Sequence, residues 1–271
     1  MVRLISRIAS TLVLAAVIII TVLPILWTLL GSFKTMRDIT SRVPKFIFSP
    51  TLEHFVGVLN TPAVQSGIVN SVVIVGSALI VGAVLGIPAA YVIARYDPPG
   101  KNHMQFFVLS LRFLPPVAIS IPLMAIFIDV GLYDTALAVI IVYSLITTST
   151  IIWLSVPAFQ QVPPELSEAA LLDGYSDGQV FLKVVLPVAA PSLVGGILFS
   201  FIVCWNELLI ALTLTSRNST LPVVAASFSS LGMEVPWGLI NASAILLALP
   251  PLLLLGGILN FMNRLLRRIA D

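Results

Sequence analysis

Six stretches of roughly twenty mostly apolar residues recur along the chain, and each is long enough to cross a bilayer as a helix. They cover residues 8–30, 69–94, 106–130, 135–156, 192–214 and 237–262. Only 10% of the residues are charged, against about 25% in a soluble domain. With 58% hydrophobic residues and a mean hydropathy of +1.08, the chain cannot clothe a water-facing surface. The expectation is an all-α polytopic membrane protein with six transmembrane helices, a single transmembrane domain over 1–271 with spans two to six as a core over 64–262. Prolines are expected inside several spans: Pro24 in the first as a kink, Pro115, Pro116 and Pro122 in the third, Pro250 and Pro251 in the sixth. Arg3 and Arg7 precede a run too long for a signal peptide and not followed by an A-x-A-like site, so the first run reads as a retained span.

Lysines and arginines in the short flanks set orientation. With the N-terminus inside, the inner flanks carry Arg3, Arg7, Arg95, Lys101, Lys183, Arg264, Arg267 and Arg268, and the outer side carries Lys34, Arg37, Arg42, Lys45 and Arg217. Both termini are therefore expected in the cytoplasm. The net charge of +2 is too small to imply nucleic acid. The lone Cys204, in an apolar run, reads as a small core residue. Gly100-Lys101 lacks the upstream glycine and the following Ser/Thr of a phosphate-binding loop, and no nucleotide fingerprint appears elsewhere. If ATP drives this protein, another chain hydrolyses it. No metal-ligand spacing and no catalytic triad can be assembled. His54 and His103 lie at flanks, His54 as a solvated loop histidine, and Asp129 and Asp134 read as solvated ends of the turn after the third span. No convincing internal repeat is seen, which argues against a self-contained secondary transporter built from related halves.

One polar stretch, residues 163–191, interrupts the apolar pattern and is expected on the cytoplasmic side. It places Glu165, Glu168, Asp173 and Asp177 within a short span. Pro164 suits the first turn of a helix, Gly174 the position just past its end, and Ser176 with Gln179 three residues on is a capping box for a second helix. Pro187 is expected to limit that second helix. Leu166, Ala169, Ala170 and Asp173 follow i, i+3, i+4, i+7 spacing and share one face. The small alanines there suit helix-in-groove docking. The residues alone leave two readings open: a docking element and an ordinary surface loop.

Ionisable and polar groups inside spans face a cavity or the bundle interior. Arg112 lies about 9 Å into the third span at 1.5 Å per residue. It either snorkels to the inner interface or meets a polar or anionic group on a translocation pathway. Trp205, Asn206 and Glu207 lie together in the fifth span, where they can bond sugar hydroxyls or bond between helices, and packing or gating is the favoured role. Gly76, Ser77, Gly82 and Gly86, then Gly195, Gly196, Gly256 and Gly257, read as close-packing positions.

Glu168-Ala169-Ala170, Asp173-Gly174 and Leu186-Pro187 together resemble the EAA loop of permease subunits in ATP-binding-cassette importers. Leu26-Trp27 with Ser32-Phe33-Lys34, Asn70-Ser71, Leu114-Pro115-Pro116, Ile121-Pro122-Leu123, the run from Gly131 to Thr135, and Trp205-Asn206-Glu207 are similar to the carbohydrate-type, maltose-permease relatives. The resemblance covers most of the chain. It implies the type I importer (MetI-like) permease fold and a multi-pass protein of the bacterial inner (cell) membrane. It further implies one transmembrane half of an importer of a sugar, sugar alcohol or sugar derivative. The implied partners are a second homologous permease subunit, two ATP-binding-cassette ATPase subunits, an extracytoplasmic solute-binding protein and membrane lipid. ATP and Mg would sit on the ATPase, with no cofactor in this chain, and the chain itself would be no enzyme. The loop over 163–187 would couple to the ATPase through Glu168, Ala169, Ala170, Asp173 and Gly174, and Arg112, Asn206 and Glu207 would belong to the pathway or a gate. The outer segments 217–222 and 227–237 are candidate contacts of the binding protein. One departure stands out: residues 260–271 form a short basic end where the family has a glycine- and lysine-containing tail. The alternative from another class is an ion-coupled secondary transporter or channel acting alone; a scaffold without transport fits poorly with proline-rich spans.

Overall fold

The computed structural model describes residues 2–96, 98–113, 115–230 and 235–270, with side chains described over 7, 10–96, 98–113, 115–230 and 235–260. The side chains of Arg3, Arg264, Arg267 and Arg268, residue Leu114 and part of the outer segment 227–237 lie outside that set.

Chain order explains most of the architecture. Helix α1 (Val2–Ser32) begins with Arg3 and Arg7, is mostly apolar beyond them and carries Pro24 within it. Two short helices follow, α2 (Met36–Ile39) and α3 (Glu53–Leu59). Helix α4 (Pro62–Arg95) starts on the proline that needs no N–H there. Next come α5 (Lys101–Phe113) and α6 (Pro116–Asp129), then α7 (Ala136–Gln160), whose first turn is capped by the Thr135 hydroxyl accepting from Ala138 N at 3.2 Å. Helices α8 (Pro164–Leu172) and α9 (Asp177–Val180) form the polar stretch. After them come α10 (Leu186–Trp205), α11 (Leu209–Leu214), α12 (Leu221–Ser227) and α13 (Trp237–Ala270). Among the described residues, five helices are long and apolar enough to cross a membrane, or six if the bent pair α5 and α6 is one span.

Two compact units emerge, one of Met1–Gln65 with Val224–Leu249 and one of Ser66–Val223 with Pro250–Asp271. In the first, His54 is buried and pairs with the Lys34 carbonyl at 2.9 Å. The expected solvated histidine is thus a core residue, because α3 turns it inward against Gly238, where a Cβ would collide with its ring. Lys34 is itself 5% exposed, its ammonium lying 5.2 Å from the Trp27 ring and 5.1 Å from that of Phe48.

In the second unit, α7 is central: 56% of its apolar window is buried, against 28% for α4 and 28% for the span ending at Trp205. Glycines set its spacing from both neighbours. A Cβ on Gly82 would lie 2.7 Å from Thr147 Cβ and 3.0 Å from Thr148 N, and one on Gly196 would lie 3.1 Å from Leu154 Cβ. The approach lets the Thr147 hydroxyl donate to the Ala78 carbonyl at 2.8 Å between helices. A Cβ on Gly76, Gly195, Gly256 or Gly257 would meet nothing within 4 Å among the described residues, so close packing belongs to only some of the glycines expected to provide it.

Two spans depart from the sequence expectation. The third, expected as one span over 106–130 with three prolines inside it, is divided into α5 and α6, bent by 88°. Pro115 and Pro116 remove two consecutive N–H donors, and Pro116 instead opens a new helix. An apolar cavity of about 340 Å³ lies between this bend and α7, lined by Leu111, Ile119, Pro122 and Val142 among others. The fifth, expected over 192–214, stops at Trp205 and resumes as α11 after the break at residues 206–208.

Candidate functional site

The polar stretch folds as its punctuation requires. Pro164 is the first residue of α8. At the other end Gly174 adopts φ +88°, Gly174 N donates to Leu171 O at 3.0 Å, and Tyr175 N donates to Ala170 O at 3.0 Å. That pair of bonds is the Schellman arrangement, which needs a left-handed residue best supplied by glycine. Ser176 and Gln179 form the capping box of α9, with Ser176 N donating to Gln179 Oε1 at 3.0 Å.

Pro187 does not limit the second helix. The five residues Phe181–Val185 form a π-turn, in which the Leu186 N–H reaches back to the Phe181 carbonyl. The widened turn removes the clash a proline ring makes with the carbonyl four residues earlier. The helix therefore runs on through Leu186 and Pro187 into α10, and Asp177–Trp205 is one continuous span of 29 residues.

The face predicted for docking is divided by the fold. Leu166, Ala169 and Asp173 are exposed, as are Glu165 and Glu168, and Leu172 is 89% exposed. Ala170 is 6% exposed and packs into a core cluster with Phe159, Val162, Val180 and Val185. Ala170 thus anchors α8 to its own chain, while its neighbours form the outward surface. Beneath α8 lies a cavity of about 210 Å³ lined by Arg95, Tyr96, Ser167, Glu168 and Asp177 among others.

The end of α4 borders this loop. Arg95 Nη2 donates to the Val162 carbonyl at 2.6 Å, and Tyr96 Oη donates to Asp177 Oδ1 at 3.2 Å. Desolvation, together with Tyr91 and the Asp177 carboxylate, pushes the Tyr96 phenol up to about 12. It remains a donor at physiological pH.

In the broken fifth span, Glu207 fills the gap. Its carboxylate accepts from Tyr143 Oη at 2.9 Å, from Ile210 N at 3.1 Å and from Ala211 N at 3.3 Å. The side chain caps the free N–H groups that begin α11 and ties them to α7. Asn206 is exposed and its amide donates to Ile202 O at 2.9 Å, while Trp205 stacks on Phe201 at 5.4 Å. Arg112 lies in the last turn of α5, half-buried, with its guanidinium 5.5 Å from the Phe199 ring centroid of α10. Arg112 and Glu207 share no hydrogen bond or ion pair among the described residues.

One organising residue was missed by the sequence reading. Asp134, expected as a solvated end, has φ 57°. Its Oδ1 accepts from Ser216 N at 2.8 Å, Arg217 N at 2.9 Å and Asn218 N at 3.2 Å, and its own N–H donates to Leu214 O at 3.0 Å. Desolvation raises its carboxyl, but the three backbone donors and Arg217 outweigh that and hold it below the usual value. The signal available was Gly131 with Asp134 in a turn, since aspartate tolerates left-handed backbone and bonds nearby N–H groups. What it could not reveal was a partner some eighty residues away.

Comparison with known proteins places this geometry in context. The family model described as "Binding-protein-dependent transport system inner membrane component" matches residues 82–269. The trehalose transport system permease protein SugB of Mycobacterium tuberculosis is 34% identical over 234 residues, 84% of this chain and 84% of that protein. The trehalose/maltose transport system permease protein MalG of Thermococcus litoralis is 30% identical over 242 residues, 86% of this chain and 84% of that protein. Among solved structures, a chain of a bacterial ABC transporter involved in import of the acidic polysaccharide alginate superposes with a TM-score of 0.77 at 18% identity, over 95% of this chain and 96% of that one. A chain of the inward-facing MetNI methionine ABC transporter does so with a TM-score of 0.59 at 18% identity, over 76% of this chain and 95% of that one. These likenesses carry the fold, that of the type I importer permeases.

Proposed function

The chain belongs to the family of binding-protein-dependent transport system inner membrane components, and from that premise we propose that it is one permease half of an ATP-driven importer of a sugar, sugar alcohol or sugar derivative. The observation that carries the substrate class is its likeness, over more than four-fifths of both chains, to permeases named for trehalose and maltose. The proposed assembly has a second homologous permease, two ATPase subunits holding ATP and Mg, and an extracytoplasmic binding protein that delivers the solute. Both termini face the cytoplasm, consistent with the arginine- and lysine-rich flanks on that side. The stand-alone secondary transporter is disfavoured by the family membership.

In this reading the α8 loop receives the work of ATP hydrolysis. Glu168, Ala169, Asp173 and Gly174 form or shape its outward surface, and Ala170 seats it on the body. Because α9 runs unbroken into α10, a displacement of the loop reaches the membrane interior without an intervening hinge loop. Glu207, with both oxygens occupied by Tyr143, Ile210 and Ala211, holds the span break together, a gating or packing role and not a solute ligand. Arg112 and Asn206 are the pathway candidates.

The test is uptake by the reconstituted transporter with its binding protein over a panel of disaccharides, polyols, sugar acids and amino acids. ATP-dependent accumulation of a sugar or polyol is expected, and accumulation of amino acids alone would overturn the substrate class. Arg112→Leu is expected to cut that uptake by about tenfold; unchanged uptake would remove Arg112 from the pathway.

A further inference from the structure

We propose that Arg95 and Tyr96, the last residues of the α4 span and the one just beyond it, are positioning residues that clasp the coupling loop at both of its ends. The inference rests on the reading of that loop as the receiver of work from the ATPase. No feature of the sequence pointed to it. Arg95 reads there only as an orientation signal.

The geometry is two-sided. The loop leaves α7 at Gln160 and rejoins the membrane segment at Asp177. Arg95 grips the chain just before α8: its Nη2 donates to Val162 O at 2.6 Å. Tyr96 grips it just after: its phenol donates to the Asp177 carboxylate at 3.2 Å, on the first residue of α9. Adjacent residues of one helix end thus bind the chain on either side of a fourteen-residue segment, Val162 and Asp177 being the outer brackets of 163–176. Charge strengthens both contacts, since a guanidinium donates in one and a carboxylate accepts in the other.

Between the two grips lies an aromatic wedge. Tyr91, one turn before Arg95, meets Phe159 at 5.5 Å between ring centroids and Phe181 at 4.7 Å. Phe159 belongs to the end of α7 and Phe181 opens the π-turn. Tyr91 also meets the Tyr96 ring edge-on at 5.9 Å. Tyr91 and Phe159 are 8% and 0% exposed, so the helix ends on either side of the loop are packed onto α4.

The middle of the loop is held differently. Under α8 the cavity of about 210 Å³ separates Glu168 and Ser167 from Arg95, and the Arg95 Nε and Ser167 Oγ are buried there with no hydrogen-bond partner among the described residues. The loop is therefore fastened at its ends and at the buried Ala170, with an open pocket beside Ser167 and Glu168. A push on the exposed face of α8 is carried to α4 through Val162 and Asp177, as well as along α9 into α10. Without the clasp, the same push bends the loop into the cavity beneath it and less of it reaches the spans.

The experiment uses the complete transporter, reconstituted with its ATPase and binding protein. Arg95→Ala, Arg95→Lys, Tyr96→Phe and Asp177→Ala are each measured for solute moved per ATP hydrolysed. A nitroxide on Leu172→Cys, the most exposed leucine of α8, reports loop mobility in each. Arg95→Ala and Tyr96→Phe are expected to sharpen the nitroxide spectrum and to lower solute moved per ATP by about fivefold, the factor that one net hydrogen bond corresponds to. Arg95→Lys, which keeps a cationic donor for the Val162 carbonyl, is expected to recover most of both. Tyr96→Phe and Asp177→Ala together are expected to do no more than either alone, because they break the same bond. Unchanged nitroxide mobility in Arg95→Ala and Tyr96→Phe overturns the clasp. Raised mobility with an unchanged transport ratio overturns its part in coupling. Gly174→Val separates that failure from failure of the parent reading: if it too leaves the ratio unchanged, the loop does not couple at all.

Discussion

Replacing Glu207 by alanine tests whether the break in the fifth span is held by this one carboxylate. Three donors converge on it: Tyr143 Oη, Ile210 N and Ala211 N, and all three residues are 0% exposed. A buried donor left without a partner costs about 1–3 kcal/mol. Tyr143 retains a fallback, since its hydroxyl also lies 3.2 Å from the Glu207 backbone carbonyl. The two amides at the start of α11 have no other acceptor among the described residues. Counting those two fully and the phenol lightly, Glu207→Ala is expected to destabilise this region by about 3 kcal/mol. Glu207→Gln keeps one acceptor oxygen in place and should cost about 1 kcal/mol, as should Tyr143→Phe, which removes a single donor. Cys204, 2% exposed and three residues away, is a built-in reporter. Labelling by a membrane-permeable maleimide, with opening fast relative to reaction, follows the population of locally opened states. The alanine variant should label about 100-fold faster than the parent, and the glutamine and phenylalanine variants about 5-fold faster. An alanine variant that labels at the parent rate, with unchanged thermal stability in detergent, would refute the assignment of Glu207 as the cap of α11.

The other expectations concern the outer turn, the helix crossing and the coupling loop. Asp134 has a folded-state value depressed below its ordinary 3.8, so its contribution is complete above that ordinary value and is lost as pH falls through the lower folded one. Hydrogen exchange at the Ser216, Arg217 and Asn218 amides should stay slow across neutral pH, quicken only in acid, and be fast at all pH in Asp134→Ala. Gly82→Val should cost about 1–3 kcal/mol in a thermal melt, because its Cβ meets the Thr147 side chain and the Thr148 backbone; Gly76→Ala, with nothing within 4 Å, should be nearly neutral. Gly174→Val must place a β-branched residue at φ +88°, costing about 1–2 kcal/mol. It is expected to leave the subunit in the membrane with ATP hydrolysis continuing and uptake lost, and unaltered uptake would remove the loop from coupling.

How much of this was legible in the sequence depends on the range of the interaction. The start of α8 at Pro164, its end at Gly174 and the capping box at Ser176 and Gln179 were all readable, since each depends on residues within one helical turn. The apolar runs were readable because lipid offers no hydrogen-bonding partner, so the backbone must close its own bonds as a helix. Arg112 and Glu207 were visible as polar groups in apolar surroundings. Their partners, Phe199 and Tyr143, lie 87 and 64 residues away in the chain, and nothing local selects them.

The sequence by itself determined that this chain lives in a membrane as a set of helices, which polar loop interrupts them, and where that loop turns. Those properties follow from composition and from bonds closed over four or five residues. Only the tertiary structure decided that Pro187 is absorbed by a π-turn, so that the loop and the fifth span are one helix. It alone turned Ala170 inward, buried His54, bent the third span at Pro115 and Pro116, and gave Asp134 three backbone donors. The physical reason is common to all of them. A buried side chain or an opened helical turn is stable only with a partner to cover or satisfy it, and that partner is brought by packing from a distant part of the chain.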